Sequence, residues 1–154
     1  MKTKIFLFLI AIAASQAFAR IGESPEQCQQ RYGAPFESHP DSAGYHKSGF
    51  IIGVSFYEGK VVRILYRKVA EISPGTGGNI SDNDIEQFLK LNAGKSTWNK
   101  PQVSSIDNVW HSVDGSLYAV YRKSDNSLTI ATKGYYERLN AAMKAKQKKT
   151  LQGF

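Results

Sequence analysis

FIIGVSFYEGKVVRILYRK, residues 50 to 68, constrains the fold more than any other stretch of the chain. Successive side chains in a strand point to opposite faces, so Phe50, Ile52, Val54 and Phe56 share one side while Ile51, Gly53, Ser55 and Tyr57 share the other. Glu58-Gly59 makes a turn, after which Val62, Ile64 and Tyr66 alternate with Arg63, Leu65 and Arg67. One face of this hairpin is oily and wants a cover. Upstream, Ser24-Pro25-Glu26-Gln27 carries a helix start: serine at the N-cap, proline at the first position, glutamine three residues after the cap. Cys28 and Tyr32 then fall on one helical face, and Gly33 with Pro35 stops the helix. A shorter strand around Tyr45, closed by Ser48-Gly49, completes a helix followed by a three-stranded meander over 24–68.

The pattern recurs. ISPGTGGN, 72–79, has no hydrophobic period and is expected to be a linker. Ser81 begins a second helix with Asp84 as a capping-box variant, Ile80 and Ile85 suit a hydrophobic staple, and Gly94 ends it. Ile85, Phe88 and Leu89 form its apolar face. VWHSVDGSLYAVYRKSDNSLTIAT supplies three further strands, separated at Asp114-Gly115 and at Ser124 to Ser127, so the second unit spans 81–132. YHKSGF and WHSVDG place an aromatic and a histidine in the same register before a glycine turn, 65 residues apart. His46 and His111 are therefore expected at equivalent scaffold positions rather than as catalysts. Residues 134–149 form a basic C-terminal helix with an apolar stripe of Tyr135, Leu139, Ala142 and Met143 that would dock on the body. The fold expected is α+β: two tandem helix-plus-three-stranded antiparallel meander units with a C-terminal helix, in one soluble domain over 20–154.

The N-terminus speaks to compartment. MKTK is a basic start, IFLFLIAIAA an apolar run and Ala17-Phe18-Ala19 a signal-peptidase pattern, which predicts a signal peptide over 1–19 cut between Ala19 and Arg20. The apolar run is about half of the roughly 20 residues that a helix needs to span a bilayer, so no transmembrane segment is expected. The expected location is periplasmic or secreted. Cys28, the single cysteine, cannot form an internal disulfide and suits a buried site.

Charge narrows the partners. The formal net charge is +7, yet residues 20 to 137 carry 13 basic and 13 acidic side chains. The excess beyond the signal peptide sits in Arg138, Lys144, Lys146, Lys148 and Lys149. A nucleic-acid-binding domain spreads its excess along a folded face with aromatics interleaved, so no specific nucleic-acid partner is expected. A lysine run of this kind would attract an anionic membrane or polymer, or it is a solvated helix end.

Several motifs fail on inspection. GKST at 94–97 lacks the earlier glycine of a phosphate loop and follows a helix instead of opening one. His39, His46 and His111 show no metal-ligand spacing, and there is no GxSxG elbow. Asn79-Ile80-Ser81 is formally a glycosylation acceptor, but Ser81 is better used as a helix cap. Phe154 ends the chain as the closing aromatic of an outer-membrane barrel would, without the strands such a barrel needs. No catalytic residue, metal or cofactor is expected.

Gly22-Glu23-Ser24, then Tyr32-Gly33-Ala34-Pro35, then Phe56, Gly59-Lys60-Val61-Val62 and Ile64 together resemble a known layout. The first unit is similar to the helix-plus-meander domain of the small lipoproteins of outer-membrane assembly and of the β-lactamase inhibitor proteins, which repeat such a unit in tandem. The chain also looks similar to exported bacterial proteins of no assigned activity. The resemblance implies a non-enzymatic exported module that binds another envelope or extracellular protein. Two departures stand out: no cysteine at the mature N-terminus for acylation, and no disulfides to staple the repeats.

Aromatic and arginine side chains are preferred anchors of protein contacts, which marks Tyr57, Arg63 and Arg67, with Tyr118 and Arg122 as the second-unit counterpart, as the expected partner-binding residues. The plainer reading is that the second unit covers this face. The alternative functions are a small envelope hydrolase, or attachment to an anionic polymer or membrane through the C-terminal lysines.

Overall fold

The computed structural model describes residues 20–69 and 77–151, so the predicted signal peptide and most of the predicted linker lie outside the described residues. In chain order the elements are α1 (Pro25–Tyr32), β1 (Glu37–His39), β2 (Ser42–Lys47), β3 (Phe50–Tyr57), β4 (Lys60–Val69), β5 (Gly77–Gly78), α2 (Asp82–Asn92), β6 (Gln102–Val103), β7 (Asp107–His111), β8 (Leu117–Arg122), β9 (Ser127–Thr132) and α3 (Lys133–Leu151). The protein is α+β. Both predicted capping boxes are present, Ser24 with Gln27 on α1 and Ser81 with Asp84 on α2.

Tight turns set the meanders. Ser48-Gly49 (φ 50° and 78°) and Glu58-Gly59 (φ 50° and 68°) hold left-handed backbone at both central positions, the twist that two-residue hairpins require. The β7–β8 turn is tied differently: the Asp114 carboxylate accepts hydrogen bonds from the Ser112 hydroxyl (2.6 Å) and from the Ser116 amide (3.0 Å) and hydroxyl (2.8 Å). These bonds pull its pKa down to about 2.

The strands do not form two separate sheets. They build one nine-stranded sheet in the order β1-β2-β3-β4-β9-β8-β7-β6, with β5 also paired to β4. The junction is antiparallel, from Arg63 opposite Ala131 to Arg67 opposite Ser127. The physical reason is edge protection: each meander ends in an apolar strand whose free backbone groups would otherwise invite aggregation, and pairing the two ends removes both edges. Strands β1, β5 and β6 escaped the sequence reading because two or three residues are too few to show a period.

A second correction concerns β4. Ser55 pairs with Arg63 and Phe56 with Val61, so Val62 is the extra residue of a β-bulge. Val61, 1% exposed, therefore enters the core in place of the expected Val62. The bulge restores the alternation beyond it, and Ile64 and Tyr66 are buried as expected.

The core lies on one face of the sheet, beneath α1 and α2. Cys28 and Tyr32 from α1, Ile85 and Leu89 from α2, and Ile52, Ile64, Tyr66, Trp110, Leu128 and Ile130 from the strands belong to one cluster. Burial pushes the Cys28 thiol up to about 12, so it stays protonated and inert. At the centre, the Tyr66 hydroxyl accepts hydrogen bonds from Arg20 Nη1 (3.3 Å) and Asn92 Nδ2 (3.1 Å). The Phe88 ring stacks on Tyr66 at 3.9 Å. This network fastens the N-terminal segment and α2 to β4.

Both histidines of the repeated pattern pack against aromatic rings. His46 packs on the Phe36 ring at 4.6 Å, and Phe36 lies flat on Gly44, where an added Cβ would come within 2.6 Å of the ring. His111 meets Tyr118 edge-on at 4.8 Å. Five strand spacings separate β2 from β7, on the order of 24 Å, so the imidazoles do not meet.

Candidate functional site: the second face of the sheet

The face opposite the core carries Tyr57 on β3, Arg63 and Arg67 on β4, and Tyr118 and Arg122 on β8. Strand alternation puts all five on one side, because their neighbours Phe56, Ile64, Tyr66, Leu117 and Ala119 face the helices. The element lying over this face is α3, and not the second helix-plus-meander unit.

The opening turns of α3 contact three of the five residues. The Arg138 guanidinium sits 3.8 Å from the Tyr57 ring centroid, a close cation–π contact. The Arg63 guanidinium lies 6.0 Å from the Tyr135 ring, and Tyr118 meets Tyr136 edge-on at 5.6 Å. Burial, and then the adjacent Tyr135, raise the Tyr136 pKa against the opposing pull of Arg63 and Arg122. The remaining two residues are exposed and paired: Arg67 Nη2 with Asp125 Oδ2 at 3.4 Å, and Arg122 Nε with Asp107 Oδ1 at 3.9 Å. Exposed pairs of this kind contribute about 0–1 kcal/mol, so they are easily exchanged for contacts with another molecule.

The expected docking stripe is shorter than its sequence suggests. Tyr135 and Tyr136 are half-buried, but Ala142 is exposed and Leu139 and Met143 are 40% and 54% exposed. From Glu137 onward the described side chains of α3 are all exposed. The helix thus rises off the sheet and leaves clefts along its start. One of about 390 Å³ is lined by Tyr57, Val62, Tyr135, Arg138 and Leu139; another of about 380 Å³ is lined by Arg63, Val109, Arg122, Tyr136 and Leu139. Tyr136 and Arg138 are the contributors that sequence reasoning missed. Their signal was the tyrosine pair in the opening turn of the helix that follows β9, whose rings reach Arg63 of β4 and Tyr118 of β8.

No family model and no curated protein matches the chain. Among solved structures it is similar to a cysteine-rich secretory protein from Staphylococcus aureus, at 14% identity and a TM-score of 0.47, over 75% of this chain and 46% of that one. The chain spans less than half the length of that protein.

Among the described residues, no group of three or more His, Cys, Asp or Glu side chains is placed to hold a metal ion. Among the same residues, no helix is long and apolar enough to cross a membrane. A wider groove of about 590 Å³ runs along the C-terminal end of α2 past Trp98 and Trp110. Trp98 is fixed there by its indole N–H, which donates to the Leu89 carbonyl at 2.8 Å.

Proposed function

We propose that the protein is an exported, non-enzymatic binding module that engages another envelope or extracellular protein through the second face of its sheet. The observation that carries this reading is the partial cover of that face. Only the first turns of α3 rest on it, and aromatic and arginine side chains line the clefts beside the helix. Interfaces concentrate binding energy in such residues when they sit in clefts that shed water. Arg63, Arg67, Arg122 and Arg138 give the face a cationic character, so the contacting surface of the partner would be rich in carboxylates.

Export rests on the basic start, apolar run and Ala17-Phe18-Ala19 pattern of residues 1–19. The halves are best read as two copies of one helix-plus-meander unit. The paired row Tyr45, Ile52, Tyr66 in the first half has a counterpart in Trp110, Ala119, Ile130 in the second. In that alignment Tyr118 falls at the position of Ile51, not of Tyr57, so the duplication repeats the buried rows and not the rings of the second face.

A photo-crosslinking amino acid at Arg67 should give an adduct with an envelope protein, whereas the same group at the exposed Gln29 of α1 should not. Changing Tyr57 and Arg63 to alanine should weaken that adduct about tenfold or more, as loss of two anchors implies. Equal labelling from both positions, or labelling indifferent to the double change, would place the partner elsewhere.

A second reading has its own observation. Lys144, Lys146 and Lys148 are exposed on a helix with no acidic residue after Glu137. Removing the chain after Met143 would then abolish low-salt binding to anionic vesicles. The hydrolase alternative calls for convergent titratable groups, and the two histidines that the sequence singled out stand at opposite ends of the sheet.

A further inference from the structure

On the helical side, between α1 and α2, lies a cleft of about 230 Å³ whose lining includes Arg20, Tyr32, Lys47, Phe50, Ile52 and Phe88. Its polar groups are poorly satisfied for so enclosed a place. The Arg20 guanidinium has no carboxylate partner among the described residues, and its Nε is buried without a hydrogen bond. Its contacts are instead to phenols: Nη1 donates to the Tyr66 hydroxyl, and the guanidinium lies 5.5 Å from the Tyr32 ring centroid. Tyr32 is 4% exposed, and its hydroxyl also makes no hydrogen bond.

The nearby carboxylates are already committed. Glu23 is held by Arg31, and Asp84 accepts from the Ser81 backbone and hydroxyl and from Lys68. Lys47, at the mouth, forms no ion pair among the described residues. A guanidinium stays charged at any physiological pH, and burying a charge without an opposite partner is costly. A part-buried guanidinium with an unmatched N–H, beside a phenol whose hydroxyl makes no hydrogen bond, is the complement of an anion. Beneath them, Phe50 and Phe88 meet edge-on at 5.0 Å and, with Ile52, make an apolar floor.

We propose that this cleft binds a small organic carboxylate, with its charged head against the Arg20 guanidinium beside Tyr32 and its apolar body on Phe50, Ile52 and Phe88. A volume of about 230 Å³ lies below the range common for drug-sized ligands, which selects a compact monocarboxylate. The site shares none of the five residues assigned to the second face of the sheet and stands independently of the partner-binding reading.

The test is an amide-resolved NMR titration of the protein with phenylacetate, hexanoate, phenylacetamide and inorganic phosphate. Saturable shifts on the amides of Tyr32, Phe50 and Phe88 are expected with at least one of the two carboxylates. Phenylacetamide, which keeps the ring and loses the charge, should bind about tenfold or more weakly, as should phosphate, which lacks the body. Arg20→Gln should weaken carboxylate binding about tenfold, and Tyr32→Phe severalfold, each with unchanged far-ultraviolet circular dichroism. If Arg20→Gln disturbs the fold, the acid-against-amide comparison on the unmodified protein and Tyr32→Phe still decide the matter. No saturable shift in the cleft with either carboxylate, equal affinity for the amide, or binding unaffected by the folded variants would overturn the assignment.

Discussion

Replacing Tyr66 by alanine should lower the free energy of unfolding by about 3–5 kcal/mol, the range for truncating a large aromatic in a core. Tyr66 is 0% exposed, stacks on Phe88 at 3.9 Å and lies in β4, which joins the two halves of the sheet. Its removal leaves a cavity beneath α2 and strips Arg20 and Asn92 of a shared acceptor. Against a typical total of about 5–15 kcal/mol, that loss takes much of the stability. Tyr66→Phe separates the two contributions, because it keeps the ring and deletes only the hydroxyl. It should cost about 1–3 kcal/mol, the penalty for leaving buried donors unmatched. Asn92 keeps its bond to the Phe88 carbonyl at 2.8 Å, so most of that loss should fall on the Arg20 end. Urea denaturation of both variants reads the difference.

Thr129→Pro should be as damaging. Thr129 pairs with Leu65 of β4 on one side and Val120 of β8 on the other. Proline cannot donate to either ladder, and it is tolerated in sheets at edges and bulges, not in the middle. Within a helix it costs about 3 kcal/mol or more, and an interior strand paired on both sides gives it no easier place. Gln102→Pro is the control. Gln102 lies in β6, at the end of the sheet, and is exposed, so the change should stay within about 1 kcal/mol. A thermal melt of the two variants beside the parent protein makes the comparison.

What was legible in the sequence was whatever repeats or punctuates over several residues. The alternation of Phe50 to Tyr57 placed β3, the serine caps placed α1 and α2, and the glycine turns after Tyr45-His46 and Trp110-His111 placed the meanders. The histidine pair was read as scaffold, and both rings pack on aromatics at opposite ends of the sheet. Less legible was how the units meet. Nothing in the period of Arg63–Arg67 or Ser127–Ala131 distinguishes a strand that ends a small sheet from one that continues into another, because antiparallel pairing depends on backbone groups common to every residue. The bulge at Val62 was hidden for a related reason: Val61 and Val62 are adjacent and both apolar, so either one fits the buried row.

The candidate sites divide in the same way. Tyr57, Arg63, Arg67, Tyr118 and Arg122 could be assigned to one face from strand parity alone. That Tyr135, Tyr136 and Arg138 would rest on them could not, since a weak apolar stripe does not say how many turns will dock. The helical-side cleft was invisible, because Arg20, Tyr32 and Phe88 lie far apart in sequence and share no motif. Arg20 entered the sequence reading solely as the residue after a predicted cleavage point, whereas its side chain reaches the centre of the fold.

The single continuous sheet is most directly tested by equilibrium unfolding watched from both halves. Both tryptophans, Trp98 and Trp110, lie in the second half, so their fluorescence reports there, while hydrogen exchange at the amides of β3 reports on the first. One sheet and one shared core predict the same denaturant midpoint and the same slope from the two probes. Two separated midpoints, with one half melting while the other stays protected, would mean that the halves are independent units and that the β4–β9 seam does not hold them together.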